Sequence, residues 1–331
     1  MDLQIFAENV NVTTDAGLSV ENKTFYDRAL LEEAAPNLIH NQFGQKRPIP
    51  KNGGKRIEFR RYAALPKATT PLTEGVTPNG RKLSATSVEA EVRQYGDYVC
   101  LSDVLNLTAI DNNVLEATRA VGHQAGLTLD TITRNVLQSG TNVYYCPKVA
   151  ADGTTTAVED RSKLDGTCTL TVDVVKKVAA MLKAANAPKF GEDYVCILHP
   201  YVAYDLRRNP EWIDVHKYAA PENIYNGEIG KLAGVRFIET SEAKIWTGTG
   251  CPSGLAVFGT LVLAAHAYAV TEVEGGGLQH IVKQLGAGED PLNQRASVGW
   301  KAIKTAERLC EQYMVRIESV SPKYSAKAKA N

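Results

Sequence analysis

Apolar residues recur every three or four positions along the middle of the chain. From Leu107 they fall on one face of an α-helix, at Ile110, Val114, Ala117, Val121, Ala125, Leu129, Ile132 and Val136. The pattern predicts a long amphipathic helix that ends near Ser139-Gly140, with Asp111-Asn112-Asn113 as a candidate interruption. About 26 residues from Asp111 would span roughly 39 Å at ~1.5 Å per residue. Such a helix has the length of a structural spine.

Two stretches alternate polar and apolar residues with the period of a β-strand, residues 55–62 and 85–98. The intervening segment is rich in Pro, Thr and Gly, which favour irregular turns. We therefore predict a long antiparallel hairpin with a wide, irregular tip. Because a two-stranded hairpin is marginally stable alone in water, this one is expected to lean on another surface.

The rest of the pattern mixes short helices and strands without a regular βαβ order. A second amphipathic helix is predicted over 172–186, with Thr171 as N-cap, and a short helix is predicted to start at Pro200. Strands are predicted at 194–198, 235–239, twice within 255–273, and at 281–285, 296–303 and 313–317. This mixture indicates an α+β fold.

The net charge of the whole chain conceals an uneven distribution of acidic and basic residues along the sequence. The 331 residues carry 37 basic and 37 acidic side chains, a formal net charge of zero, which argues against whole-molecule binding of nucleic acid or anionic lipid. Residues 1–45 hold 7 acidic against 2 basic side chains, a net of −5. Residues 45–82 hold 10 basic against 2 acidic, a net of +8. An acidic arm with little core of its own therefore precedes a strongly basic hairpin.

The basic residues of the hairpin allow three interpretations. They could form a solvated face, a surface that binds nucleic acid, or a surface that docks on an acidic neighbour. Only Phe59 and Tyr62 interleave with the charges as stacking candidates for nucleic acid. Docking is favoured, because the acidic arm of the same chain would complement the hairpin in a homo-oligomer. The candidate subunit-interface residues are Lys55, Arg56, Arg60, Arg61, Lys67, Glu74, Arg81 and Lys82.

No pattern typical of catalysis is found in the sequence. Phosphate-binding and dinucleotide-binding glycine loops, HExxH and a nucleophile elbow are all missing, and no histidine has a second histidine within a helical turn. The six cysteines are scattered, which favours buried thiols in a reducing compartment over disulfides or a metal site. Asp152 and Asp160 flank a loop that lacks the order of a calcium site. We predict no enzyme activity, no cofactor and no metal.

Membrane insertion and export are not expected either. The longest apolar stretch stops at His266, far short of the ~20 residues that span a bilayer. The first residues carry two acids and no base, unlike a signal peptide.

Several short sequence motifs occur in an order and spacing that, taken together, resemble those of one protein family. They are 128–137 (TLDTITRNVL) with Ser139-Gly140-Thr141, His199-Pro200 with Asp205-Leu206-Arg207, Asn226-Gly227-Glu228-Ile229-Gly230 with Gly234-Val235, Glu239-Thr240, and Asp290-Pro291-Leu292-Asn293-Gln294 with Gly299-Trp300-Lys301. Over residues 45–320 this combination resembles the major capsid protein family of podovirus-type tailed bacteriophages. The resemblance implies the tailed-phage and herpesvirus capsid fold.

That fold implies a segmental organisation that matches the elements predicted from the residues. Residues 1–45 form an N-terminal arm, 46–100 the extended hairpin loop, 101–170 with 281–322 a peripheral domain on the spine helix, and 171–280 an axial domain. Residues 323–331 are a basic tail that we expect to fray.

The function implied by the resemblance is that of a major capsid protein. It self-assembles through hexamers and pentamers into an icosahedral head shell, which encloses double-stranded DNA without sequence-specific binding. Expected locations are the virion and, during assembly, the host cytoplasm; scaffold, portal and decoration proteins are candidate partners. A separate scaffold or none is expected, since the arm starts close to Met1. Two other functions stay open, an encapsulin-like compartment of the same fold and a cytosolic α+β enzyme.

Some relatives of this fold join their subunits through Lys–Asn isopeptide bonds. The hairpin lysines Lys51, Lys55, Lys67 and Lys82 match no such site, so we predict non-covalent closure of the shell.

Overall fold

The computed structural model of the chain describes residues 38–62, 65–77, 79–108, 113–150, 152–213, 230–285, 290 and 292–331. Its helices are α1 (Asp103–Thr108), α2 (Asn113–Gln138), α3 (Val172–Ala184) and α4 (Pro200–Arg207). Its strands are β1 (Gln45–Lys46), β2 (Arg56–Tyr62), β3 (Ala85–Glu91), β4 (Arg93–Ser102), β5 (Val143–Tyr145), β6 (Lys148–Val149), β7 (Thr155–Thr156), β8 (Tyr194–Leu198), β9 (Lys231–Leu232), β10 (Val235–Glu239), β11 (Ile245–Trp246), β12 (Val257–Leu263), β13 (Tyr268–Glu272), β14 (Gln279–Lys283), β15 (Arg295–Arg308) and β16 (Met314–Val320). The predicted α+β class is confirmed.

The chain divides into two compact units, of which the larger comprises Ile39–Arg93, Asp130–Glu274 and Lys304–Asn331. Its mixed sheet has the strand order β5-β16-β12-β8-β10-β9, and β11 pairs with β12. Strand β8 runs parallel to β10 and antiparallel to β12. All five of its residues are buried, so the predicted buried strand is confirmed.

The two faces of β8 contribute to two hydrophobic clusters, because successive side chains of a strand point to opposite faces. One cluster contains Cys196 and Leu198 together with the apolar faces of α3 and α4, among them Val178, Leu182 and Leu206. The other contains Val195 and Ile197 together with residues of α2, β12 and β13, among them Leu137, Leu261 and Tyr268. The sheet is therefore the centre of the larger unit's core.

Helix α3 begins where its N-cap predicts. The hydroxyl of Thr171 accepts a hydrogen bond from the backbone N–H of Val174 at 3.4 Å, which satisfies one of the donors left free at a helix start. The helix ends at Ala184, two residues before the predicted end, and Pro188 lies beyond it.

Helix α4 is capped by a histidine. The ring Nδ1 of His199 accepts from the backbone N–H of Tyr201 at 3.2 Å, and Pro200 occupies the first helical position. Burial lowers the pKa of His199 to about 4, since the charged imidazolium is poorly solvated there. Protonation would also convert the Nδ1 acceptor into a donor and break the cap.

The larger unit is expected to lose stability in acid through His199. Its folded pKa lies below the unfolded value of ~6.5, so this contribution is present above pH ~6.5 and is lost as the pH falls toward 4. Asparagine caps helices without titrating, so His199→Asn should reduce the destabilisation between pH 7 and pH 5 by on the order of 1–2 kcal/mol. Urea unfolding of the two proteins at both pH values measures this difference. Equal acid sensitivity in both would refute the role of His199.

The smaller unit contains Gln94–Leu129 and Gly275–Ile303, together with residue 38 of the described chain. Here the predicted apolar face of α2, represented by Val121, Ala125 and Leu129, packs against Trp300 and Ala302 of β15. The helix spans 26 residues, and residues 130–138 continue it into the larger unit. The long helix is thereby confirmed, whereas two of the three residues of the candidate interruption, 111 and 112, lie outside the described residues.

Strands β4 and β15 approach closely at two glycines of the smaller unit. A Cβ on Gly96 would lie 2.5 Å from the carbonyl oxygen of Trp300, and one on Gly299 would lie 2.9 Å from that of Asp97. Backbone atoms cannot move aside as a side chain can, so both positions require glycine.

The end of the predicted arm is anchored, although residues 1–37 lie outside the described residues. The buried His40 donates its backbone N–H to Asp130 Oδ1 at 2.7 Å, and its Nδ1 lies 2.6 Å from Asp130 Oδ2. The hydroxyl of Tyr268 donates to the His40 carbonyl, and Thr133 donates to the Asn41 side chain at 2.6 Å. Helix α2 therefore holds the chain at the start of the larger unit.

The expectation of a frayed tail is wrong. Asn331 accepts from the backbone N–H of Ile245 at 3.0 Å and donates to the carbonyl of Ala243 at 3.0 Å, while Ala256 donates to the carbonyl of Ser325 at 3.0 Å. These contacts hold the tail against β11 and the start of β12. The assignment of segments to arm, hairpin loop, peripheral domain and axial domain stays a prediction.

Candidate functional site: the basic hairpin

The hairpin of β2 and β3 sorts its side chains onto two faces. The strands pair antiparallel from Arg56↔Glu91 to Tyr62↔Ala85. Residues directly opposite each other share a face, so the pairs Ile57↔Ala90, Phe59↔Val88 and Arg61↔Thr86 lie on one side. Arg56, Glu58 and Arg60 lie on the other. The predicted antiparallel hairpin is confirmed for 56–62 and 85–91, whereas residues 93–98 of the predicted second strand belong to β4, which pairs with β15 instead.

The first of these sides, the inner face, packs on the body of the larger unit. Phe59 and Ala90 are buried against Ala269 of β13, with Ile57 and Leu309 alongside. The expectation that the hairpin leans on another surface is met within the same chain. The base of the hairpin is thus held in place before any partner binds.

The outer face carries exposed ion pairs. Arg60 donates to Glu58 through Nε at 3.2 Å and Nη2 at 3.1 Å, and this hydrogen bonding lowers the pKa of Glu58. Arg56 Nη1 lies 3.9 Å from Glu89 Oε2. Exposed pairs of this kind contribute little to stability and are screened by salt. Their charges remain accessible to another molecule.

Arg61 differs from its neighbour Arg60 because strand alternation turns it to the inner face. Its Nη1 donates to Cys310 Sγ at 2.7 Å, and its guanidinium carbon lies 5.2 Å from the ring centre of Tyr313. Both contacts belong to its own chain. The sequence does not distinguish the two adjacent arginines, whereas the structure assigns them different surroundings.

The tip of the hairpin has no core. Every described residue from 65 to 87 is exposed, including the charged Lys67, Glu74, Arg81 and Lys82. Four large apolar side chains are exposed as well, namely Leu65 at 53%, Leu72 at 78%, Val76 at 63% and Leu83 at 69%. Several large apolar side chains exposed along one segment are typical of a surface that a partner covers. Sequence reasoning missed these four, although their position among Pro, Thr and Gly residues was a usable signal.

The structure brings the eight candidate interface residues into one hairpin but into three environments. Lys55, Arg56 and Arg60 lie at the start or on the outer face, Arg61 lies on the inner face, and the other four lie at the tip. Their role at a subunit interface stays a prediction.

Three further observations on the described part of the chain concern metal ions, membranes and cysteines. Among those residues no group of three or more His, Cys, Asp or Glu side chains could hold a metal ion. No helix described is both long and apolar enough to cross a bilayer. All six cysteines are free thiols, as the sequence predicts, and Cys100 is exposed whereas Cys146, Cys168, Cys196 and Cys310 are buried.

The long helix, the hairpin and the mixed central sheet match the fold of solved phage capsid proteins. The family described as phage capsid protein matches residues 85–306, about two thirds of the sequence. The chain belongs to this family. Its members are structural proteins of the virion.

Solved capsids share the fold at low sequence identity. The capsid of cyanophage P-SCSP1u aligns with a TM-score of 0.63 and 15% identity over 85% of this chain and 87% of that chain. The capsid of Ralstonia phage GP4 aligns with a TM-score of 0.62 and 15% identity over 85% and 88%. The SrpI encapsulin of Synechococcus elongatus PCC 7942 aligns with a TM-score of 0.52 and 10% identity over 90% and 92%. Comparison with curated proteins by sequence finds no significant match.

Proposed function

We propose that this chain is the major capsid protein that assembles, as hexamers and pentamers, into the icosahedral head shell of a tailed phage. The shell encloses double-stranded DNA without reading its sequence, and assembly takes place in the host cytoplasm. Scaffold, portal and decoration proteins are candidate partners. The observation that carries the proposal is the hairpin, whose base is packed on its own chain while its tip is uncovered.

The mechanism is mechanical and electrostatic. The buried contacts of Phe59 and Ala90 hold the paired strands on the body of the larger unit, so the tip projects from an anchored support. Burial of Leu65, Leu72, Val76 and Leu83 on a neighbouring subunit would supply the hydrophobic driving force for docking. Lys67, Arg81 and Lys82 would then select an acidic surface.

A second candidate is an encapsulin-like compartment that holds protein cargo. This candidate function is supported by the similarity to the SrpI encapsulin, which covers 90% of this chain. The two functions share the fold and differ in what the particle encloses.

Electron microscopy of the purified full-length protein tests the proposal. We expect closed shells of uniform diameter, and particles recovered from phage-producing cells should contain nuclease-protected DNA. Shells filled with one packed enzyme and no DNA would favour the encapsulin-like compartment. A small discrete oligomer that never forms shells would refute both.

A further inference from the structure

Asparagine is followed directly by glycine at three places in the sequence, Asn52-Gly53, Asn79-Gly80 and Asn226-Gly227. In such a pair the glycine nitrogen can attack the asparagine side chain, because glycine carries no side chain that would block the approach. Asn52-Gly53 and Asn79-Gly80 are both exposed, whereas Asn226-Gly227 lies outside the described residues. Exposure therefore does not distinguish the two described pairs, and the difference between them lies in the backbone.

Asn52-Gly53 is held in a closed turn just before β2. The backbone N–H of Gly53 donates to the carbonyl of Pro50 at 2.9 Å, and Asn52 lies in the left-handed region with a φ of 67°. A Cβ on Gly53 would lie 2.9 Å from the same carbonyl oxygen. The Gly53 nitrogen is thus engaged with Pro50, and its attack on Asn52 would require the turn to open.

Asn79-Gly80 lies at the tip of the hairpin without such a restraint. Among the described residues none accepts a hydrogen bond from the Gly80 N–H, and a Cβ on Gly80 would have no atom within 4 Å. The described neighbours from 65 to 87 are all exposed, so little restricts rotation of the Asn79 backbone. Arg81 and Lys82 follow directly, and their positive charges favour the negative charge that develops on the attacking nitrogen.

We propose that Asn79 is a site of spontaneous deamidation in the unassembled subunit. The Gly80 nitrogen forms a bond to Cγ of Asn79 and the Cγ–Nδ2 bond breaks. The Nδ2 amino group leaves as ammonia with the proton from the Gly80 nitrogen. Water then opens the cyclic succinimide at either carbonyl, which yields an aspartate or an isoaspartate at position 79. Water is the only co-reactant, and no group is oxidised or reduced.

Deamidation would alter the tip in two ways. The tip changes from 3 basic and 1 acidic side chain, a net of +2, to 3 basic and 2 acidic, a net of +1. Isoaspartate also routes the main chain through the side-chain carbon and so displaces the residues that follow. The consequence for assembly rests on the proposed function: a subunit left unassembled would lose its ability to dock, whereas burial of the tip in a shell would protect Asn79.

Peptide mapping of ageing subunits tests the site itself. Wild-type protein kept too dilute to assemble would be incubated at mildly alkaline pH, and deamidation at each asparagine would be followed by mass spectrometry. We expect Asn79 to deamidate at least about fivefold faster than Asn52, since the hydrogen-bonded turn has to open before Asn52 can react. A rate at Asn79 no higher than that at Asn52 would overturn the inference.

Gly80→Ala is the matched variant. Its Cβ has open space, and Gly80 does not lie in the left-handed region, so the subunit should fold and melt as the wild type does. The added methyl group hinders the attacking nitrogen, so deamidation at Asn79 should slow about tenfold while Asn52 in the same chain reacts at its wild-type rate. An unchanged rate at Asn79 would contradict attack by the Gly80 nitrogen.

Assembly separates this inference from the proposed function. Asn79 should deamidate severalfold more slowly in shells than in dilute subunits, and aged wild-type subunits should assemble less well than aged Gly80→Ala subunits. Equal rates in shells and subunits would refute protection by docking of the tip. A wild-type protein that forms no shells would refute the proposed function, and the comparison of Asn79 with Asn52 would still decide whether the deamidation site exists.

Discussion

Replacing Glu318 with Gln is expected to lower the free energy of unfolding by about 3–5 kcal/mol. The carboxylate of Glu318 is fully buried and lies between two arginines. Arg161 donates to it through Nη2 at 2.6 Å and Nε at 2.7 Å, and Arg316 Nε lies 2.9 Å from Oε1. Removing the negative charge leaves two mostly buried cations without compensation.

The loss of stability should extend beyond this ion cluster, because its two arginines also contact other elements of the fold. The guanidinium of Arg161 stacks 3.9 Å from the ring centre of Trp246 in β11. Arg316 donates to the carbonyls of Gln138 and Gly140, at the end of α2. One carboxylate therefore supports the packing of the central sheet, of the turn at residue 161 and of the end of α2.

Glu211 provides a matched control for Glu318. Its carboxylate also lies 2.6 Å from a cation, Lys176, but both side chains are about half exposed. Glu211→Gln should change the free energy of unfolding by no more than about 0.5 kcal/mol. Urea unfolding of unassembled subunits, followed by tryptophan fluorescence, measures both. Similar losses in the two variants would contradict a special role for the buried cluster.

The second large effect is expected at the tip of the hairpin. Changing Lys67, Arg81 and Lys82 to Glu alters the tip from 3 basic and 1 acidic residue, a net of +2, to a net of −4. These side chains are exposed and form no ion pair or hydrogen bond with another described residue. We therefore expect a soluble protein with unchanged circular dichroism and melting that forms no shells, since like charges would now oppose docking.

Tip residues are chosen because their replacement can be interpreted without a change in contacts inside the chain. Reversal of Arg60 and Arg61 would also remove contacts to Cys310 and Tyr313 within the same chain, so a failure to assemble could reflect misfolding. A control with the same change in charge elsewhere uses the exposed Lys163, Lys183 and Lys283. Normal shells from the tip variant would contradict docking through the tip, and failure of both variants would point to net charge instead.

Much of the fold was predictable because its signals are local. The apolar period of α2, the Thr171 cap and the alternation of β2 and β3 each depend on residues a few positions apart. Such patterns determine which elements form, and the structure confirms them with boundaries shifted by a few residues.

The features that the sequence did not reveal depend on residues far apart in the chain. Glu318 lies in a strand where a charged residue would be expected to face water, and its burial depends on Arg161, 157 residues away. His40 depends on Asp130, 90 residues away, and the ordered tail depends on Ile245. Local periodicity carries no information about these partners.

The candidate interface was predicted only in part. Charge segregation identified the hairpin, but the exposed leucines of the tip and the different surroundings of Arg60 and Arg61 emerge only once the strands are paired. The surface that receives the tip belongs to another molecule, so a single chain cannot specify its geometry.

The borders between the two compact units have a consequence for how this protein can evolve. The chain passes from one unit to the other inside β4 at 93–94, inside α2 at 129–130 and inside β15 at 303–304. A recombination event at any of these points would join halves of a helix or of a paired strand that had diverged separately. Exchange of one unit between related phages should therefore be disfavoured, and the two units are expected to be inherited together.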